Sequence, residues 1–90
     1  MSALQAQFEV AIVASRSLRT VKKEDRLKLY SLYQQAKIGD VSGRRPGFTN
    51  LVNRAKYRAW EDLRGTSRSA AMREFVKLTE SLSNRPIPVF

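Results

Sequence analysis

Leu29-Tyr30-Ser31-Leu32-Tyr33-Gln34-Gln35-Ala36-Lys37-Ile38-Gly39 is the stretch on which the fold turns. Its apolar residues recur at helical and not alternating spacing. Gly39 follows where a left-handed residue commonly closes a helix. Glu24 and Asp25 lie upstream, in a first turn that the helix dipole favours for acids. The stretch predicts a helix over about residues 23–38, with its start marked by Thr20 or by Glu24-Asp25. Advancing about 100 degrees per residue from Leu27 puts Leu29, Leu32, Tyr33 and Ala36 in one arc, at about 140 to 240 degrees. Tyr30, Gln34 and Leu27 fall in a second arc, at about 300 to 360 degrees, with Lys37 beside them. A surface helix needs only one apolar stripe. Two stripes fit a central helix packed on both sides, or a helix that turns one face to the core and the other to a ligand.

Outward from this helix the spacing stays helical. Leu4, Phe8, Ala11, Ile12 and Ser15 share a face of a first helix over Ala3–Ser15. Thr49 or Asn50 can cap a third helix over about residues 51–63, with an inner stripe of Leu51, Ala55, Ala59 and Leu63. Gly65-Thr66-Ser67 reads as a stop followed by a fresh N-cap. A fourth helix, Arg68–Ser83, would bury Met72, Phe75, Val76, Thr79 and Leu82, and Pro86 and Pro88 end it. The tail from Ile87 either packs on the bundle or frays. Residues 40–49 hold Gly43, Pro46 and Gly47 and make a loop longer than the usual helix connection, long enough to cross over the bundle. No stretch alternates convincingly, so the prediction is an all-α four-helix bundle forming one domain over residues 1–90.

Composition narrows the function. The chain has 17 Lys and Arg against 8 Asp and Glu, a net charge of +9, which attracts polyanions: nucleic acid, an anionic membrane surface or a phosphate-rich small molecule. It has no cysteine and no histidine, so the usual thiolate nucleophile and neutral-pH general base are missing. Glu24-Asp25 and Glu61-Asp62 are sequence neighbours, and neighbours on a helix do not face each other. No phosphate-binding or dinucleotide glycine pattern occurs. The expectation is a protein that is not an enzyme and that uses no cofactor or metal. No apolar run reaches the ~18 residues of a membrane span, and the N-terminus lacks a secretory pattern, so a mature cytoplasmic domain is expected. Arg16 sits one turn beyond Ile12, and Lys56 one turn beyond Val52. A cation at the rim of an apolar stripe can bury its stem and extend its head to an anion.

The run from Leu29 to Val41 resembles the second helix of acyl-CoA-binding proteins, and Arg45-Pro46-Gly47 is similar to the crossover loop of that family. Ala55-Lys56-Tyr57-Arg58-Ala59-Trp60, Leu63-Arg64-Gly65-Thr66-Ser67, Ala71-Met72 and Phe75-Val76 continue the likeness, which is collinear from about Phe8 to Leu82. The resemblance implies an up-down-down-up bundle with an overhand loop between the second and third helices. It implies a monomer that takes one medium- to long-chain fatty-acyl-CoA and serves as an intracellular carrier and pool former. Tyrosines and lysines would hold the adenine and 3′-phosphate, while the acyl chain lies in a groove. On this sequence those roles fall to Tyr30 and Tyr33 with neighbouring Ser31 and Leu32, to Lys56, and to Arg16 where a lysine is usual. Ile12 would lie along the ligand and Leu27 near the acyl chain. Gln34, Val52 and Phe75 occupy family contact positions but replace a lysine, a polar residue and a tyrosine; Lys37 and Arg54 are the nearby cations that could compensate. Transient contact with anionic membranes or acyl-CoA-using enzymes would accompany such a role. The alternative from another class is a small basic nucleic-acid-binding helical protein, supported by the charge and by Arg16-Ser17-Leu18-Arg19 and Arg44-Arg45. No recognition-helix or RNA-binding motif accompanies that charge.

Overall fold

The structure, a computed structural model, describes residues 2–89. Four helices follow one another, α1 (Ala3–Ser15), α2 (Lys23–Lys37), α3 (Leu51–Glu61) and α4 (Arg68–Ser83), with no strand among the described residues. The expected limits of α1 and α4 agree with these, and α2 stops one residue short, with Ile38 as its C-cap. The expected α3 ran on to Leu63; instead Leu63 and Arg64 close on the Trp60 and Glu61 carbonyls in tighter turns.

Local chemistry sets most of the ends. Ser2 caps α1 in a reciprocal pair: its hydroxyl accepts from the Gln5 N–H, and the Gln5 side chain accepts from the Ser2 N–H. Asn50 and Ser67 cap α3 and α4 by accepting from Asn53 and Ala70. The start of α2 departs from the expectation. Lys22, not Thr20, is its N-cap and makes no capping bond through its side chain, while Glu24 and Asp25 do occupy the first turn. Gly39 ends α2 at φ 100°, where a side chain would be strained.

α4 packs on α1 and α2, and α2 also packs on α3. Arg68, at the start of α4, donates to the Ala36 and Lys37 carbonyls at the end of α2, so these two helices run antiparallel. Lys56 stands over Tyr30, and Trp60 donates to the Gly39 carbonyl, so α2 and α3 advance in the same direction. Phe8 meets Phe75, and Ala14 lines a cleft with Leu82, so α1 and α4 also run together. The order is up-down-down-up. Residues 38–50 must therefore return the length of a helix, about 22 Å for fifteen residues, which thirteen residues span easily at about 3.3 Å each.

The core gathers Phe8, Ala11, Ile12, Leu32, Ala36, Ala71, Phe75 and Val76 with Ile87 of the tail. That tail packs: the Ile87 N–H donates to the Glu80 carboxylate, and its carbonyl accepts from Gln7. Phe90, the last residue of the expected tail, lies outside the described residues. Leu51, expected in the inner stripe of α3, is 74% exposed, and Trp60 is the buried residue of that helix. Its indole finds the Gly39 carbonyl at 2.8 Å, a partner supplied by the end of a different helix.

Candidate functional site

α2 is covered over a wider arc than its apolar residues indicate. Ser31 and Gln35, at about 40 and 80 degrees on the same wheel, are buried along with Leu32 and Ala36. Ser31 donates to the Lys28 carbonyl, so its hydroxyl is spent within the helix. Gln35 is fully buried; its amide donates to the Thr66 carbonyl at 2.7 Å and to Asp40 at 2.9 Å. Asp40 also accepts from the Gly65 N–H at 2.8 Å. The Gly65 hydrogen bond, and then that from Gln35, hold the Asp40 carboxyl below the usual carboxylate range. These bonds fasten the end of α2 to the turn between α3 and α4.

The second stripe stays only half-covered. Leu27, Tyr30 and Gln34 form a strip along α2 between α1 and α3, helices that do not pack on each other. The result is a trough with α2 as its floor. On the α3 side, the Lys56 ammonium lies 5.2 Å from the centre of the Tyr30 ring, a cation–π contact. Val52, one turn earlier on α3, is 67% exposed. On the α1 side, Lys37 pairs with Glu9 at 3.1 Å and lies over the Phe8 ring. α1 and α2 are antiparallel. Stepping seven residues, about 10.5 Å, along each helix from the Glu9–Lys37 pair reaches Arg16 and Tyr30. Arg16, the C-cap of α1, therefore comes about level with Tyr30 on the α1 side and is exposed.

The expected site residues thus divide. Arg16, Leu27, Tyr30, Gln34, Val52 and Lys56 border or floor the trough. Ile12, Ser31, Leu32 and Phe75 are buried in the protein, and half-buried Tyr33 packs against the core. Phe75 meets Phe8 edge-on at 5.3 Å and Tyr33 at 6.5 Å. Of the cations near Gln34 and Val52 in sequence, Lys37 is paired with Glu9, and Arg54 donates to the Phe48 carbonyl and stacks over its ring at 5.5 Å. Among the described residues no group of three His, Cys, Asp or Glu is placed to hold a metal.

Two clefts lie elsewhere. One, of about 560 Å³, separates α3 from the crossover and includes Arg45, Tyr57 and Glu61. The other, of about 620 Å³, runs between the end of α1 and the tail. Neither brings together any of the expected site residues. Depth alone does not locate a polyanion site here; an open trough edged by cations is the better match to such a ligand.

A family described as "Acyl CoA binding protein" matches residues 5–79. The chain belongs to the acyl-CoA-binding protein family. It is 39% identical over 80 residues to "Acyl-CoA-binding domain-containing protein 2" of Oryza sativa subsp. japonica, covering 88% of each chain. It is 40% identical over 76 residues to the "Acyl-CoA-binding protein" of Saccharomyces cerevisiae, covering 83% of this chain and 87% of that one. The fold is shared as well. The crystal structure of Oryza sativa Acyl-CoA-Binding Protein 2 superposes with a TM-score of 0.87 at 38% identity, over 90% of this chain and 91% of that one. The crystal structure of ACBP from Moniliophthora perniciosa gives 0.84 at 29% identity, over 93% and 82%. The family match reaches into all four helices but stops before Ile87, so the packed tail lies beyond the matched region.

Proposed function

We propose that the protein binds medium- to long-chain fatty-acyl-CoA esters and carries them as a cytoplasmic monomer, without catalysing a reaction. The Tyr30–Lys56 pair on an open trough, in a chain of this family, supports the reading most strongly. Lys56 and Arg16 approach from opposite walls and supply positive charge to the phosphates. Tyr30 offers a ring for the adenine, Gln34 a neutral polar contact, and Leu27 and Val52 apolar surface for the acyl chain. Ile12, Leu32, Tyr33 and Phe75 support the floor from beneath. Covering an acyl chain removes about 0.8 kcal/mol per methylene of unfavourable exposure, so chain and head group both contribute to binding. The protein would hand its cargo to acyl-CoA-using enzymes or to anionic membranes.

Native mass spectrometry of the ligand-free chain with palmitoyl-CoA tests this. The expected spectrum shows a monomer carrying one ligand. A chain that takes up no palmitoyl-CoA at any ratio would refute the reading.

A further inference from the structure

One end of the bundle carries a clear excess of positive charge. With α1 and α4 running one way and α2 and α3 the other, four helix ends meet there: the last turns of α1 and α4 and the first turns of α2 and α3. Arg19, Lys22, Lys23, Arg26, Arg54 and Arg85 belong to this end, with Glu24, Asp25 and Glu80 as its acids. Adding Arg16 and Lys56 from the trough walls gives eight basic residues against three acidic ones, five of the nine net charges. The ion pairs among the described residues, Glu9–Lys37, Glu61–Arg45 and Glu74–Lys77, use none of these eight cations.

Apolar side chains project at the same end. Phe48 is 83% exposed, Leu51 74% and Val52 67%, three large residues within one turn of the start of α3. All three are open to solvent, and the Arg54 guanidinium stacks over the Phe48 ring. The fold gives no reason to expose a phenylalanine and a leucine there, since Trp60 anchors α3. Exposed apolar groups interleaved with unpaired cations match a surface with anionic heads above an apolar layer. Nucleic acid offers the anions without that layer.

We infer that this end of the bundle, with Phe48 and Leu51 as its apolar tip and Arg19, Lys22, Lys23, Arg26 and Arg85 around it, docks on an anionic lipid bilayer. Docking there brings the Val52–Lys56 wall of the trough to the membrane surface. This deepens the membrane hand-over in the proposed function and rests on that reading for its purpose, not for its physics.

Ligand-free protein is floated with vesicles of phosphatidylcholine alone or of phosphatidylcholine with phosphatidylserine, at low and high salt. Binding is expected only to the phosphatidylserine vesicles and to weaken with salt, as screening shortens the reach of the charges. Each cation near such a surface strengthens partitioning by roughly fivefold, so Arg19→Gln, Lys22→Gln and Lys23→Gln together should weaken it by roughly a hundredfold. Phe48→Ser should weaken it by roughly tenfold without altering the charge. The emission of a Phe48→Trp variant should shift to the blue on the same vesicles. No binding, equal binding to both vesicle types, or an unchanged Phe48→Ser variant would overturn the inference. So would salt-sensitive binding to duplex DNA in place of vesicles. All these variants lie outside the trough, so palmitoyl-CoA uptake measured without vesicles should be unchanged, and each reading can fail separately.

Discussion

Lys56→Ala is expected to weaken binding of palmitoyl-CoA by roughly ten- to a hundredfold. A hydrogen bond to a charged phosphate contributes about 1.5–3 kcal/mol, and Lys56 is the cation stacked on the Tyr30 ring where phosphate and base would meet. Apart from Arg16, the surroundings offer no replacement. Gln34 carries no charge, Lys37 is held by Glu9, and Arg54 is held by Phe48. Lys56→Glu should lose more, because repulsion joins the missing attraction. The fold should hardly change, since the cation–π contact accounts for about 0.5–1 kcal/mol at an exposed site. The head group is common to all acyl-CoA esters, so titration calorimetry should show the same fold-loss for octanoyl- and palmitoyl-CoA. A loss confined to the longer ester would place Lys56 beside the acyl chain and contradict the phosphate role.

The largest expected effect on stability comes from Phe8→Ala. Phe8 is 1% exposed and joins three helices: its ring meets Phe75 of α4 edge-on at 5.3 Å and Tyr33 of α2 at 6.4 Å. Truncating a buried phenylalanine costs about 3–5 kcal/mol, through lost transfer energy and the cavity left behind. For a domain of this size each kcal/mol lowers Tm by about 4–8 °C, so a fall of at least about 12 °C is expected by circular dichroism. Single domains hold only about 5–15 kcal/mol in total, so the variant approaches the limit of folding. Val13→Ala on the same helix, at a position 61% exposed, should change Tm little. Similar losses in both variants would mean that α1 is not seated through Phe8.

The helices were legible because α1 and α4 carry apolar residues at helical spacing, with Pro86 and Pro88 beyond α4 as a stop. Ser67 and Asn50 are polar residues at helix starts, and the Gly39 position requires a positive φ. Burial around α2 was less legible. Periodicity shows which residues would gain from being covered, whereas coverage depends on which neighbours arrive. Gln35 is covered where the Thr66 turn meets α2, and its buried amide nitrogen is satisfied by Thr66 and Asp40. Leu51 and Trp60 show the converse. The apolar stripe of α3 pointed to Leu51, but the indole reaches the Gly39 carbonyl, and Leu51 is left in solvent.

For the candidate site, the second stripe of α2 marked Tyr30, Gln34 and Leu27 from spacing alone. Lys56 and Arg16 were visible only as cations at the rims of stripes on other helices. Their approach to Tyr30 from two walls follows from helix direction and from the Glu9–Lys37 pair, neither of which a single helix encodes. Phe75 and Ile12 belong with the core for the same reason: α4 and α1 meet each other through those faces.

The central claim is that the trough binds a ligand with a charged head and a long apolar chain. Titration calorimetry with free CoA and with octanoyl-, dodecanoyl- and palmitoyl-CoA tests it most directly. Affinity should rise by up to about fourfold per added methylene, the equivalent of about 0.8 kcal/mol, until the chain outgrows the trough. Equal affinity for free CoA and palmitoyl-CoA would contradict it.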